Sequence, residues 1–257
     1  MTAHSDRTAD NGEAGYFGYR AVDPTQKTGM VRGVFDRVAD RYDLMNDLMS
    51  GGVHRLWKDR FVAMTRPDPR DRLLDVAGGT GDIAFRWLRK AGGDARATLC
   101  DINANMLTVG RDRAIDRGAI GRVDLVCGNA ENLPFRSRSA DLYTIAFGLR
   151  NVTHIDAALA EAYRVLRPGG RFWCLEFSQV AEQPLRSLYD AYSFTVIPNL
   201  GALVARDRES YRYLVESIRQ FPDQTALAER MDRIGFARIK VRNLAGGIAA
   251  IHSGLRL

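Results

Sequence analysis

Hydrophobic and polar positions alternate in blocks along the middle of the chain. Short apolar runs, several of them ending near a glycine or an acidic residue, are separated by stretches whose apolar residues recur at helical spacing. The predicted strands cover residues 72–77, 97–101, 123–127, 142–147 and 171–177, and the predicted helices cover 83–90, 105–116 and 155–166. Because strands and helices alternate, the pattern predicts a mainly parallel sheet between layers of helices.

The segments on either side of this block have other patterns. Residues 1–20 are polar and lack a periodic apolar face, which predicts a disordered tail. The rest of the chain, 21–257, is predicted to form one domain. Its predicted divisions are a helical lid at 30–65, a core at 66–178, a helical insertion at 183–221, and a last helix with a closing β-hairpin at 224–257.

Composition and charge exclude several classes of function. Lys and Arg number 37 against 31 Asp and Glu, but they form no dense basic run, which disfavours a nucleic-acid partner. Three cysteines and four histidines are scattered at spacings that fit no zinc site, so we expect no metal. Without a long apolar stretch or a targeting signal, we expect a cytoplasmic protein, at most peripheral on the inner membrane.

A glycine-rich turn follows the first predicted strand and reads DVAGGTGD at positions 75–82. Glycines at the carboxyl end of a parallel strand let the backbone approach a ligand. The loose pattern G-x-G-x-x-A over 79–84 also permits a dinucleotide. Asp82 would set a negative charge beside a pyrophosphate, whereas the sulfonium and amino groups of S-adenosylmethionine tolerate Asp75 and Asp82. The acidic flanks therefore favour the methyl donor, with Gly79 in the binding loop.

Residues at the next two strand ends strengthen this interpretation. Asp101 ends the second strand, where a carboxylate can accept hydrogen bonds from ribose hydroxyls. Asn129 and Ala130 follow the third strand and can contact an adenine edge through a side-chain amide and a backbone N–H. Taken in order, these residues predict S-adenosylmethionine as cofactor and a methyltransferase as the protein.

Three sequence blocks resemble the UbiE/COQ5 family of ubiquinone/menaquinone biosynthesis C-methyltransferases. They are FDRVADRYDLMN at 35–46, LLDVAGGTGD at 73–82 and FGLRNV at 147–152, and the resemblance runs nearly end to end. It implies a class I S-adenosylmethionine-dependent methyltransferase fold, a Rossmann-like three-layer αβα arrangement with a mainly parallel seven-stranded sheet. It also implies that Thr80, with Asp101, Asn129 and Ala130, binds the donor. Members commonly carry Ser where this chain has Ala146.

Members of that family methylate a ring carbon of a polyprenylated benzoquinol or naphthoquinol, and this substrate suggests two groups of further site residues. Arg150, after the fourth strand, can stabilise a phenolate oxygen or instead form a structural salt bridge. Asn151 can orient the ring hydroxyl, or else begin a helix. Tyr42 and Asn46 belong to a segment that closes over the donor as a lid or simply packs on the sheet.

Further partners and rival functions follow from the same features. The apolar insertion can receive a prenyl tail, form a homodimer or join a quinone-biosynthesis complex, and its arginines can touch anionic lipid. The rival functions are a methyltransferase acting on another phenol or a sterol, a nucleic-acid methyltransferase, and a noncatalytic donor-binding scaffold. The absence of adenine- and cytosine-methylation motifs argues against nucleic acid.

Overall fold

The computed structural model describes residues 15–38, 47, 52–180 and 208–257. The predicted lid residues Tyr42 and Asn46, and positions 183–207 of the predicted insertion, lie outside the described residues. Among the residues that are described, no helix is long and apolar enough to cross a membrane.

A seven-stranded sheet forms the centre of the molecule. Its strands are β3 (Arg72–Val76), β4 (Arg96–Asp101), β5 (Val123–Cys127), β6 (Ala140–Ala146), β7 (Leu166–Phe177), β8 (Ala237–Leu244) and β9 (Ala249–Leu255). They lie in the order β5-β4-β3-β6-β7-β9-β8, with β3 to β7 parallel and β9 antiparallel to both neighbours. The predicted sheet with its closing hairpin is confirmed.

Helices cover both faces of the sheet. They are α1 (Pro24–Val38), α2 (His54–Met64), α3 (Asp82–Ala91), α4 (Ala104–Asp116), α5 (Ile155–Val165), α6 (Arg208–Gln220) and α7 (Gln224–Ile234). Leu73 of β3 belongs to a hydrophobic cluster that includes residues of α2, α3 and α6, whereas its neighbour Leu74 belongs to a second cluster with residues of α5 and α7. Central strands are therefore apolar on both sides, which explains why their sequence reads as continuous hydrophobic runs.

The predicted tail at 1–20 is too long, since a small β-hairpin begins at residue 15. It consists of β1 (Gly15–Phe17) and β2 (Arg20–Val22). Helix α1 then begins at Pro24, six residues before the predicted start of the lid at Met30. The side chain of Asp23 accepts a hydrogen bond from Thr25 N at 2.8 Å, and proline at the first helical position favours this start.

Strand β7 also begins earlier than predicted, at Leu166 instead of Arg171. Leu166 pairs with Ala140 across an irregular register, and the Gly169 N–H donates to the Arg256 carbonyl. Extended pairing with β6 and the chain end thus overrides the local turn tendency of Pro168, Gly169 and Gly170. The predicted helix 155–166 ends one residue early for the same reason.

The carboxyl ends of β3, β4, β5 and β6 meet at one edge of the sheet, and α1 crosses that edge. Arg32 of α1 donates to the Ile102 carbonyl at 2.7 Å, and Asp36 accepts from the Asn103 amide at 2.8 Å. These contacts tie α1 to the segment after β4. A pocket at this edge therefore has one wall from the sheet and one from the N-terminal helix.

Candidate functional site

A pocket lies at the carboxyl ends of β3, β4, β5 and β6, the usual place for a ligand in an open α/β sheet. Five sequence-predicted residues line it: Gly79, Asp101, Asn129, Ala130 and Asn151. The structure therefore brings together residues from four separate strand ends, as the sequence predicted.

The loop after β3 requires glycine for steric reasons at Gly78. A Cβ atom there would lie 2.2 Å from Leu99 Cδ1 and 2.9 Å from Asp75 Oδ2. At Gly79 the requirement is conformational, because φ is +57°. The loop consequently presents bare backbone to the pocket, where a ligand can approach closely.

Ala77 and Phe147, which follow β3 and β6, hold the left-handed conformation without being glycine. Their φ angles are 48° and 57°, and both residues line the pocket. Such conformations cost roughly 1–3 kcal/mol each and persist where surrounding structure enforces them. Gly148 permits the close approach of these two turns, since a Cβ there would lie 2.5 Å from Ala77 Cβ. Two residues that line the pocket therefore have strained backbone conformations.

Asp101 connects the glycine loop to the end of β4. Its Oδ2 accepts from Gly79 N at 2.8 Å and its Oδ1 from Asn103 N at 2.8 Å. Burial raises the pKa of Asp101, and the backbone N–H donors at Asn103 and Gly79 oppose that rise. Each carboxylate oxygen keeps a second lone pair, so Asp101 can still accept hydrogen bonds from a vicinal diol.

The turn after β5 forms the far end of the pocket. Asn129 Oδ1 accepts from Glu131 N at 3.0 Å, and Gly128 N donates to the Asp101 carbonyl at 3.0 Å. These bonds orient the Asn129 side chain and leave its NH₂ group as a donor. The Asn129 NH₂ group, next to buried Ala130, is therefore suited to donate a hydrogen bond to the edge of a planar heterocycle.

Two predicted donor-binding residues, Asp75 and Thr80, lie beneath the loop instead of along the pocket. Asp75 is fully buried and accepts from Thr144 Oγ1 at 2.7 Å and from Ala84 N at 3.2 Å. Thr80 Oγ1 accepts from the Arg113 guanidinium at 2.6 Å. Their side chains thus shape the loop, and direct contact with a donor stays a prediction for both.

The contacts of Asp82 contradict the prediction that the acidic residues flanking the loop act on the ligand. Its carboxylate pairs with Lys58 and with Arg86, each at 2.9 Å. Although burial opposes the shift, the Lys58 ammonium lowers the pKa of Asp82 to about 2. Its charge is therefore neutralised by α2 and α3, and neither Asp82 nor Asp75 faces the pocket.

Arg150 lies in a 3₁₀ turn, Leu149–Asn151, directly after β6. Its guanidinium donates to Glu176 Oε1 at 2.7 Å and to the Phe147 carbonyl at 2.6 Å, and both charged side chains are 1% exposed. The Arg150 N–H also donates to Glu176 Oε2 at 3.2 Å. Arg150 therefore forms the structural salt bridge that was one of its two predicted roles. This salt bridge anchors the turn that carries Asn151.

A second, more polar pocket adjoins the first and shares Val152 with it. It is lined by Arg150, Thr153, Lys27, Tyr213 and residues of the N-terminal hairpin. Lys27 is buried and donates to the Val152 carbonyl at 2.8 Å. Because Val152 lines both, the two pockets are neighbours at this turn.

Sequence reasoning missed the α1 wall of the first pocket. Thr28, Val31 and Arg32 all line it. Their spacing of three and four residues places them on one helix face, a signal that extends the apolar pattern of Val31, Val34 and Val38. Glu176 was also missed, and no local signal marks it, because its partner lies 26 positions away.

Asp75 predicts a pH dependence of stability. Burial raises its pKa from 3.8 to about 7. The folded state therefore binds this proton more tightly than the unfolded state, and the stability contribution is lost as pH rises from about 4 to about 7. An Asp75→Asn variant should lose this part of the decline when urea unfolding is measured across that range.

Exposed Asp124 on β5 provides the control for this measurement. An Asp124→Asn variant, measured over the same pH range, controls for the removal of one strand carboxylate at the surface. Parallel curves for wild type and Asp75→Asn would contradict the elevated pKa.

Known proteins with similar sequences match nearly the whole length of this chain. The model of the ubiE/COQ5 methyltransferase family matches residues 23–256. A Brucella abortus protein named ubiquinone/menaquinone biosynthesis C-methyltransferase UbiE is 55% identical over 97% of this chain and 93% of its own length. A Cereibacter sphaeroides protein of the same name is 56% identical over 94% of this chain and 96% of its own.

Solved structures share the fold at low sequence identity. A Thermotoga maritima S-adenosylmethionine-dependent methyltransferase has a TM-score of 0.61 at 20% identity, covering 88% of this chain and 100% of its own. Haemonchus contortus phosphoethanolamine N-methyltransferase 2, solved with S-adenosylhomocysteine, has a TM-score of 0.63 at 16% identity, covering 88% of this chain and 60% of its own. The [4+2]-cyclase SpnF has a TM-score of 0.57. Its presence indicates that the fold alone does not specify the reaction.

Proposed function

This chain belongs to the ubiE/COQ5 methyltransferase family, and from that premise we propose that it methylates a ring carbon of a polyprenylated benzoquinol or naphthoquinol in ubiquinone or menaquinone biosynthesis. It is an S-adenosylmethionine-dependent methyltransferase. The observation that carries the proposed acceptor is the 55–56% identity to proteins named for this reaction over more than nine-tenths of the chain.

The order of strands along the pocket supports an orientation for the donor. Asn129 and Ala130 follow β5 and would hold adenine, Asp101 follows β4 and would hold the ribose hydroxyls, and the loop at Gly79 would hold the methionine part. S-adenosylmethionine supplies a methyl group activated on a sulfonium. The turn after β6, with Phe147 and Asn151, then lies nearest the sulfonium, at the junction with the second pocket.

The second pocket is the proposed entrance for the acceptor ring. Its polar groups, from Tyr213, Thr153 and Lys27, suit a ring that carries phenolic oxygens. A quinol carbon becomes nucleophilic when its neighbouring hydroxyl shares or loses a proton, so alignment of that carbon with the methyl group is the main requirement. The meeting of the two pockets at Val152 supports such an alignment.

Arg150 is proposed as a positioning residue of this reaction. Because its guanidinium is engaged by Glu176 and Phe147, it supports the turn that separates the donor and acceptor pockets. The role of Asn151 in orienting the ring hydroxyl stays a prediction, and its place in the donor pocket allows direct contact with the donor as well. The lid role of Tyr42 and Asn46 stays a prediction.

We propose further that the protein works at a membrane surface. A polyprenylated acceptor is dissolved in the bilayer, so a cytoplasmic enzyme needs peripheral contact with the inner membrane to reach it. Basic side chains near the helical insertion, such as exposed Arg212 of α6, suit anionic headgroups. A homodimer or a quinone-biosynthesis complex is compatible with the same surface.

The oxidation state of the acceptor gives a direct test of the proposed reaction. Purified protein is incubated with methyl-labelled S-adenosylmethionine and each demethyl quinone, either reduced or oxidised. Reduced benzoquinol or naphthoquinol should become labelled, whereas the oxidised ring should stay at the background without enzyme, because its carbons are electron-poor. Label on neither reduced quinol would contradict the proposal. Transfer only to an unrelated phenol or sterol, or donor binding without turnover, would instead identify one of the rival functions.

A further inference from the structure

Tyr213 of α6 reaches the turn after β6 from the opposite side of the second pocket. Its side chain is 3% exposed, and its hydroxyl donates to Asn151 Oδ1 at 3.1 Å. Tyr213 lines the second pocket, whereas Asn151 lines the donor pocket. One hydrogen bond therefore links a residue beside the proposed acceptor entrance to a residue beside the donor.

The ring of Tyr213 is held by the N-terminal hairpin. Phe17 stacks on it with a centroid distance of 4.2 Å and an interplanar angle of 15°. Glu216, one turn further along α6, accepts from Tyr19 N at 3.1 Å. The hairpin and α6 thus fix the position of the phenol hydroxyl through two independent contacts.

The Asn151 amide needs such a partner to define its orientation. Among the described residues, its Nδ2 donates to the Phe147 carbonyl over a long 3.5 Å, and exchange of the amide oxygen and nitrogen changes its shape little. The Phe147 carbonyl can only accept, so it favours the form with Nδ2 on its side, and the Tyr213 hydroxyl, which donates to Oδ1, strengthens that form. The remaining Asn151 N–H is then fixed as a donor.

We propose that Tyr213 is a positioning residue that orients the Asn151 amide so that it donates to the methionine end of the bound donor. Asn151 touches the donor and Tyr213 acts through it. This inference rests on the proposed function only in requiring that S-adenosylmethionine occupies the first pocket, whatever the acceptor is. Burial raises the pKa of Tyr213, so the hydroxyl stays protonated and remains a donor at neutral pH.

A double-mutant cycle on donor affinity tests the proposal. Dissociation constants of S-adenosylmethionine are measured by calorimetry for wild type, Tyr213→Phe, Asn151→Ala and the double variant. Asn151→Ala should weaken binding about tenfold and Tyr213→Phe about fivefold, corresponding to one lost and one misdirected hydrogen bond. If Tyr213 acts only through Asn151, the double variant should match Asn151→Ala at about tenfold, instead of the roughly 50-fold expected for independent effects.

Tyr163→Phe provides a matched control, because Tyr163 packs edge-on against Phe236 at 5.2 Å and lines neither pocket. It should leave donor affinity unchanged, and thermal melting of every variant shows whether the fold is kept. Additive losses, or an unchanged affinity in Tyr213→Phe or Asn151→Ala, would overturn the proposal. Failure to methylate any quinol would refute the proposed acceptor alone, since the cycle is read from donor binding.

Discussion

An Asp101→Asn variant is expected to lose about 100-fold in affinity for S-adenosylmethionine while keeping its fold. The carboxylate is 8% exposed and lies at the pocket wall between two backbone donors. Two charge-assisted hydrogen bonds to ribose hydroxyls, at about 1.5 kcal/mol each, account for a loss of this size. The amide keeps the shape of the side chain but replaces one acceptor oxygen with a donor, which also removes the hydrogen bond from Gly79 N or from Asn103 N, so thermal melting of the variant is measured alongside. Calorimetric titration with S-adenosylmethionine measures the change.

Asp124→Asn is the matched control for this loss. Asp124 is also a strand carboxylate, on β5, but it is exposed and outside the pocket. It should bind the donor as wild type does. Wild-type affinity in Asp101→Asn would show that the donor does not use this carboxylate and would require another position for its ribose.

A Glu176→Ala variant is expected to be destabilised by about 3–5 kcal/mol, because it leaves the Arg150 guanidinium buried without its counter-charge. Both side chains of the pair are 1% exposed, and Arg150 Nε has no hydrogen-bond partner among the described residues. The free energy of unfolding in urea measures the effect. A double variant, Arg150→Met with Glu176→Leu, removes both charges and should recover most of the lost stability.

Arg230→Ala provides the surface comparison for this pair. Arg230 pairs with Asp156 at 2.9 Å, with side-chain exposures of 30% and 53%, and should contribute far less to stability. A Glu176→Ala variant as stable as Arg230→Ala would contradict the anchoring role of the buried pair. With that result, the position of the 3₁₀ turn would need another explanation.

Elements with strong local signals were predicted well. Strand β5 was predicted at 123–127, and the last helix was predicted to begin at 224; both are confirmed, the helix as α7 (Gln224–Ile234). The ends of α7 are set within its own sequence. Asp223 caps the first turn by accepting from Ala226 N at 2.8 Å, and Gly235 ends the helix with a φ of 108°. Such signals need no knowledge of the rest of the fold.

The N-terminal hairpin could not be read in the same way. Its two strands have only three residues each, too few to show a pattern, and the structure stabilises it through Phe17 on Tyr213, a contact between residues almost 200 positions apart. The long strand β7 depends likewise on pairing with β6 and the chain end. Tertiary contacts override local tendency in both cases.

For the site, the residues of the strand-end turns were predictable and their supports were not. Glycine and acidic residues at strand ends correctly placed Gly79 and Asp101 in one pocket. The sequence could not show that Asp82 is neutralised by Lys58, or that Arg150 is matched by Glu176, because each pair joins separate elements. A charged residue near a predicted site therefore suggests chemistry, but its partners determine whether that charge faces the ligand.

The position of the transferred methyl group distinguishes carbon methylation of a quinol from every rival function. The protein is given S-adenosylmethionine carrying a deuterated methyl group together with reduced demethyl quinol, and the product is examined by mass spectrometry and NMR. We predict one CD₃ group on a ring carbon, with both ring hydroxyls free. A CD₃ group on a phenolic oxygen, or no transfer to either quinol under conditions where the donor binds, would contradict it.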